Sequence, residues 1–107
     1  MVMFVVKWDV LPQSVDSYAE WAKSSIPKEL SIPGVTEFRA YRPATGSSQV
    51  VATYEFKDME SWASWYSSDD IQKIFDELRQ YTTNVFTELW GPSPVVPEPI
   101  RPYKYKF

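Results

Sequence analysis

The stretch that most limits what this chain can become runs over residues 50–90, VVATYEFKDMESWASWYSSDDIQKIFDELRQYTTNVFTELW. Val50, Ala52, Tyr54 and Phe56 fall on alternate positions, the period of a half-buried β-strand. Asp58 ends that run and is placed to cap a helix, its carboxylate accepting from backbone N–H groups two or three residues on. Trp62, Trp65 and Tyr66 then share one helical face. Ser67, Ser68, Asp69 and Asp70 interrupt and re-cap, and Ile71, Ile74, Phe75 and Leu78 resume the apolar stripe. The stretch predicts a strand, a helix in two pieces and a second strand from about Thr83 to Trp90.

The residues before it repeat the order. Val2, Phe4, Val6, Trp8 and Val10 alternate with Met3, Val5, Lys7 and Asp9; both faces are apolar at first, as in a central strand covered on both sides at one end. Pro12 breaks the pattern. Ser14 is placed to start a helix with Asp16 in its first turn, Val15, Ala19, Ala22 and Ile26 form the expected inward stripe, and Tyr18 and Trp21 flank it. Pro27 is expected to end or kink this helix, with Lys28 to Leu30 adding a turn before Pro33 and Gly34 stop it. A second strand is expected over residues 35–42, and the loop at 43–48 reads as a hairpin into the third strand.

Strand, helix, strand, strand, helix, strand is the split βαβ arrangement: an α+β, ferredoxin-like βαββαβ fold with both helices on one face of a four-stranded antiparallel sheet. The other face is left uncovered, exposing Trp8, Tyr54 or Trp90 according to which parity points out. Such an apolar patch usually marks an interface, and a two-fold homodimer is the commonest way to cover it. Residues 1–91 are expected to form this domain. Residues 92–107, PSPVVPEPIRPYKYKF, carry five of the nine prolines and favour extended polyproline backbone. They then alternate Tyr103, Tyr105 and Phe107 with lysines, the pattern either of an arm that docks on a partner subunit or of a frayed tail.

With 107 residues the chain is sized for one domain. A net charge of −3 argues against nucleic-acid binding. No histidine and no cysteine are present, which removes thiolate chemistry, disulfides and the usual haem and metal ligands. No carboxylate run has the spacing of a hard-cation site, and the apolar start is too short to span a bilayer. A cytoplasmic protein without metal or membrane partner is the expectation. Five Trp, seven Tyr and six Phe point to a core, cavity or interface built from flat rings.

IPGVTEFRAYR, leading into the second strand, and YEFKDMESWASWYSSDDIQKIF, across the third strand and second helix, resemble the dimeric α+β barrel superfamily, close to the antibiotic-biosynthesis-monooxygenase type. The resemblance covers residues 2–90. It implies a homodimer, and an activity ranging over cofactor-independent monooxygenases of aromatic polyketides, haem-degrading monooxygenases and proteins without an assigned role. Against the haem-degrading branch, Trp65 falls on that branch's Trp, Phe75 where its His ligand belongs, and Val6 where a first-strand Asn belongs. Phe75 offers no donor atom, so haem breakdown is not expected, and no cofactor is.

The candidate ligand-binding residues are Trp65, Tyr66, Tyr18, Tyr54 and Arg39. Trp65 either lines a cavity between helix and sheet or is simply core. The tyrosines either orient an oxygenated substrate or are core residues with one polar tip. Arg39, sharing a strand face with Glu37 and near Glu55, either anchors an acidic or phenolic group or forms a cross-strand ion pair. The Asp69–Asp70 pair fits a helix cap. Two functions follow: a cofactor-independent monooxygenase acting on a small aromatic or quinol-like compound in an aromatic-lined pocket, or a non-catalytic module that binds a small molecule or a partner.

Overall fold

In a computed structural model, which describes residues 1–102, the chain forms β1 (Val2–Val10), a short 3-10 turn (Pro12–Ser14), α1 (Val15–Ser31), β2 (Val35–Tyr41), β3 (Val50–Phe56), α2 (Met59–Tyr66), α3 (Asp69–Tyr81) and β4 (Thr82–Trp90). The four strands make one antiparallel sheet in the order β2-β3-β1-β4. This is the expected ferredoxin-like α+β fold. Where β1 meets β4 the register slips between Lys7 and Asp9. Asn84 sits there with φ of 53° and donates from Nδ2 to Asp9 Oδ2 at 3.0 Å, because Asn tolerates the left-handed region that such an irregularity demands.

The parity of β1 decides the core. Phe4, Val6 and Trp8 pack under the helices with Ala52, Tyr54 and Phe56. Phe4 is a hub, with ring centroids 5.0 Å from Tyr66, 5.8 Å from Trp62 and 6.1 Å from Phe75. The helix-free face carries Met3, Val5, Lys7, Thr53, Glu37, Arg39 and, on β4, Phe86, Glu88 and Trp90, as the cross-strand pairs place them. Of the three aromatics that parity left open, Trp8 and Tyr54 are buried, and Trp90 stands on the uncovered side, 47% exposed beside Phe86 at 58%.

The caps of α2 and α3 follow the sequence, whereas Ser14, placed to start α1, makes no side-chain cap bond. Asp58 accepts from Ser61 N at 2.8 Å, and the Ser68 hydroxyl accepts from Ile71 N at 3.3 Å, with Asp69 and Asp70 in the first turn of α3. Two expectations for α1 are corrected. Pro27 does not end it: the helix runs on to Ser31. The carbonyl left without its donor there belongs to Lys23, an exposed residue, so it is not orphaned in the core. Nor is the inward stripe Val15, Ala19, Ala22 and Ile26. Val15 and Ala19 are exposed, and the line facing the sheet is Tyr18, Ala22, Ser25 and Glu29, with Ser25 and Glu29 buried.

After α1, Pro33 and Gly34 turn the chain into β2. Gly34 has φ of +136°, and a Cβ there would lie 3.4 Å from Trp65 Cβ and from the Ser61 carbonyl. Only glycine accepts that backbone angle without strain. Residues 91–102 are exposed and irregular, and Pro92, Pro97 and Pro99 border a surface pocket with Met1, Met3 and Trp90. Tyr103, Tyr105 and Phe107 of the expected arm lie outside the described residues. No helix among the described residues is long and apolar enough to cross a membrane.

Candidate functional site

Between α1, α3 and the sheet lies a cavity of about 60 Å³, walled by Trp8, Phe38 and Tyr54 from the strands, Tyr18 and Trp21 from α1, and Phe75 from α3. Small residues at Ala22 and Ser25 leave this space, since larger side chains at those helical positions would fill it. No lysine or arginine lines it, and Glu29 is its one charged group.

Glu29 is the unusual residue of the fold. It is 4% exposed, and the Tyr54 hydroxyl donates to both carboxylate oxygens, at 3.2 Å to Oε1 and 3.1 Å to Oε2. Burial pushes its carboxyl up to about 7, against the Tyr54 hydrogen bond, which favours the charged form and pulls it down. Tyr54 itself, buried and facing that carboxylate, is held well above the usual tyrosine value and stays a neutral donor. Burial also raises Tyr18, opposed by the 3.2 Å hydrogen bond that its oxygen accepts from Trp8 Nε1.

The position of Glu29 is fixed by its own backbone. In an α-helix the Glu29 carbonyl would accept from the residue four further on, and that residue is Pro33, which has no N–H. Trp65 Nε1 takes the place, donating to the Glu29 carbonyl at 3.1 Å across the core. At the other flank Trp21 Nε1 donates to Glu77 Oε1 at 2.9 Å, tying α1 to α3.

Of the five residues expected from sequence, Tyr18 and Tyr54 line the cavity. Trp65 does not: it is 1% exposed and packs 5.2 Å from both Tyr54 and Phe56, behind the cavity wall. Tyr66 stacks on Trp62 at 5.4 Å and also lies outside the cavity. Arg39 is on the opposite face of the sheet, donating from Nε and Nη2 to Glu37 Oε1 at 3.2 and 3.0 Å. Glu37 stands opposite Glu55 across the strands. Sequence reading missed Glu29, Trp8, Trp21 and Phe38. A glutamate on an amphipathic helix reads as solvent-facing, and the overlooked signal was its spacing from Tyr18, Ala22 and Ser25. Among the described residues no group of acidic, His or Cys side chains is arranged to hold a metal ion.

A ferredoxin-like sheet with a helix-covered aromatic cavity and one buried acid defines an α+β protein of ferredoxin-like class. The chain belongs to the antibiotic biosynthesis monooxygenase family, whose model matches residues 1–77. A comparison with curated proteins gave no match. Among solved structures it is similar to SnoaB, a cofactor-independent oxygenase from Streptomyces nogalater, with a TM-score of 0.71 at 15% identity over 91% of this chain and 97% of that one. A conserved protein from Methanosarcina mazei Go1 superposes with a TM-score of 0.68 at 22% identity, covering 84% of this chain and 91% of the other. An ethyl tert-butyl ether D family protein from Bacillus halodurans gives 0.68 at 12% identity, over 87% and 100%. At these identities the likeness shows the shared fold.

Proposed function

We propose that this protein is a cofactor-independent monooxygenase acting on a small hydroxylated aromatic of quinol type, with Glu29 as its base. The observation that carries the reading is the Glu29–Tyr54 pair, a buried carboxyl raised to about 7 inside an aromatic, cation-free cavity. A general base works best when its pKa lies near the working pH. Family membership and the oxygenase neighbour support the same chemistry.

The quinol hydroxyl gives its proton to Glu29, while the neutral Tyr54 hydroxyl steadies the carboxylate. The resulting anion donates electrons to dioxygen. A C–O bond forms at the ring carbon, its C–H proton is lost and the O–O bond breaks. Quinol and dioxygen yield a hydroxyquinone and water, so the substrate supplies all four electrons and no external reductant is needed. The aromatic walls hold the ring flat and keep bulk water off the anion.

The test is oxygen uptake with a panel of quinols and polyphenols. Uptake that depends on substrate and falls at least a hundredfold in Glu29→Gln, the low end of what a general base contributes, supports the proposal; no uptake across the panel overturns it. A second reading, a binding module without catalysis, has one observation in its favour: about 60 Å³ is well below the ~150 Å³ that an engineered cavity gives to benzene. Ligand binding without oxygen uptake would select it.

The helix-free face supports a homodimer. Phe86 and Trp90 expose rings beside the Lys7–Glu88 ion pair, and a second copy covers them without leaving sheet surface in water. The proline-rich tail starts at this edge of the sheet, next to Met1 and Met3, and we assign it the role of an arm across the partner. Sedimentation of the full chain and of a chain ending at residue 91 tests both. A monomeric full chain removes the dimer, and an equally stable truncated dimer removes the arm.

A further inference from the structure

Two spaces meet at Tyr18. Inside is the cavity already described. Outside, between the start of α1 and the loop joining β2 to β3, runs a groove of about 660 Å³, and Tyr18 and Val50 line both spaces. A groove of this size is in the range of small-molecule sites. It accounts for the residue that the fold does not: Val15, 53% exposed although apolar and on a helix, lines it with Ala19 and Val10.

The two spaces have opposite charge character. Glu29 is the charged residue of the cavity, and no cation offsets it. An anionic group brought there would lose its hydration and meet a carboxylate. Arg42 is the charged residue of the groove, where no acid lines the walls, and among the described residues it forms no ion pair. In a chain of net charge −3 that local sign is informative.

We propose that the groove is the outer half of the binding site, taking the anionic end of an elongated aromatic ligand against Arg42 while its neutral hydroxylated ring reaches inward to Glu29. The proposal takes the hydroxyl-inward orientation from the monooxygenase reading and adds the substrate class: a hydroxyaryl acid rather than a plain quinol. Arg42 is a specificity residue that sets which end enters first, and Ser47 and Ser48 beside it offer hydroxyls to the same acidic group. Tyr18 is the partition. A ring needs more room than the cavity offers, and the bond from Trp8 Nε1 is the hydrogen bond that the Tyr18 oxygen breaks to swing aside and join the two spaces.

The experiment is calorimetric titration at low ionic strength with para-hydroxyphenylpropionate and the matching alcohol, para-hydroxyphenylpropanol. The intact protein should bind the acid roughly fivefold tighter, the size an exposed charge pair gives. Arg42→Gln should abolish the preference, and Arg42→Glu should reverse it. Arg42 is exposed, so neither change threatens folding. Equal binding of the two probes, binding of neither, or a preference that survives Arg42→Gln overturns the proposal. Oxygen uptake is read separately. Acid preference without uptake removes the monooxygenase and leaves the groove, whereas uptake without acid preference removes the groove alone.

Discussion

Glu29 lies above the sheet and Glu37 below it, and the two carboxyls are shifted in opposite directions. Glu29 is covered by α1 and the strands, has a neutral tyrosine as partner, and is raised to about 7 by burial. Glu37 stands in water on the uncovered face, where the hydrogen bond with Glu55 and then the Arg39 guanidinium hold it below the usual glutamate value. Its neighbour Glu55 is raised, first by burial and then by Glu37. The residue type is the same; the cover decides what it can do. On the open face the acid stays charged and serves an ion pair with Arg39 inside β2, not the cross-strand pair expected from sequence. Under the helices it becomes a group able to take a proton near neutral pH.

The largest test of that contrast goes through the wall behind the cavity. Trp65→Ala should destabilise the fold by about 3–5 kcal/mol, the range for removing a buried Trp, and denaturant unfolding would measure it. A small cost would mean that the covered side is no more tightly built than the open one.

Next comes pH. Burial raises the Glu29 carboxyl in the folded chain from the ordinary 4.5 to about 7. The folded state therefore holds more protons between those values, and stability falls as pH rises from about 4.5 through about 7. At pH 8 the charged, buried carboxylate costs on the order of 3 kcal/mol, from the energy equivalent of a pKa shift. Glu29→Gln should flatten the profile in this window and raise stability at its alkaline end. With no histidine or cysteine in the sequence, the other raised carboxyl is Glu55, and Glu55→Gln is the control that should leave the slope in place. A profile that keeps its slope in Glu29→Gln would take the proton away from this residue.

On the open face, Phe86→Ser should leave far-ultraviolet circular dichroism unchanged and move sedimentation toward the single chain. Arg39→Ala should leave the thermal midpoint where it is, since its pair with Glu37 is solvated. Trp62→Phe should also change little. Trp62 Nε1 is buried without a hydrogen-bond partner among the described residues, so deleting that donor removes a desolvation cost along with some packing. Calorimetry should find a change within about 1 kcal/mol of zero.

The covered and open faces also differ in how far the sequence reveals them. The alternation in β1 and β3, the Asp58 and Ser68 caps and the split second helix were legible because strand parity and capping are local chemistry. The stripe of α1 was not. Val15 and Ala19 carry the apolar signal and Glu29 the polar one, and the packing reverses both: the groove leaves Val15 in water, and Tyr54 gives Glu29 a partner that lies 25 residues away. Tyr18 and Tyr54 could be singled out from their positions, whereas Arg39 could not be assigned to a face until the sheet order was known.

The indole hydrogen bond from Trp65 to the Glu29 carbonyl gives the protein a built-in clock. That indole proton is sealed from solvent and can exchange only when the last turn of α1 lifts from α2. Its exchange rate therefore times how often the acid's own stretch of backbone comes loose, and a ligand that seats against Glu29 should slow it.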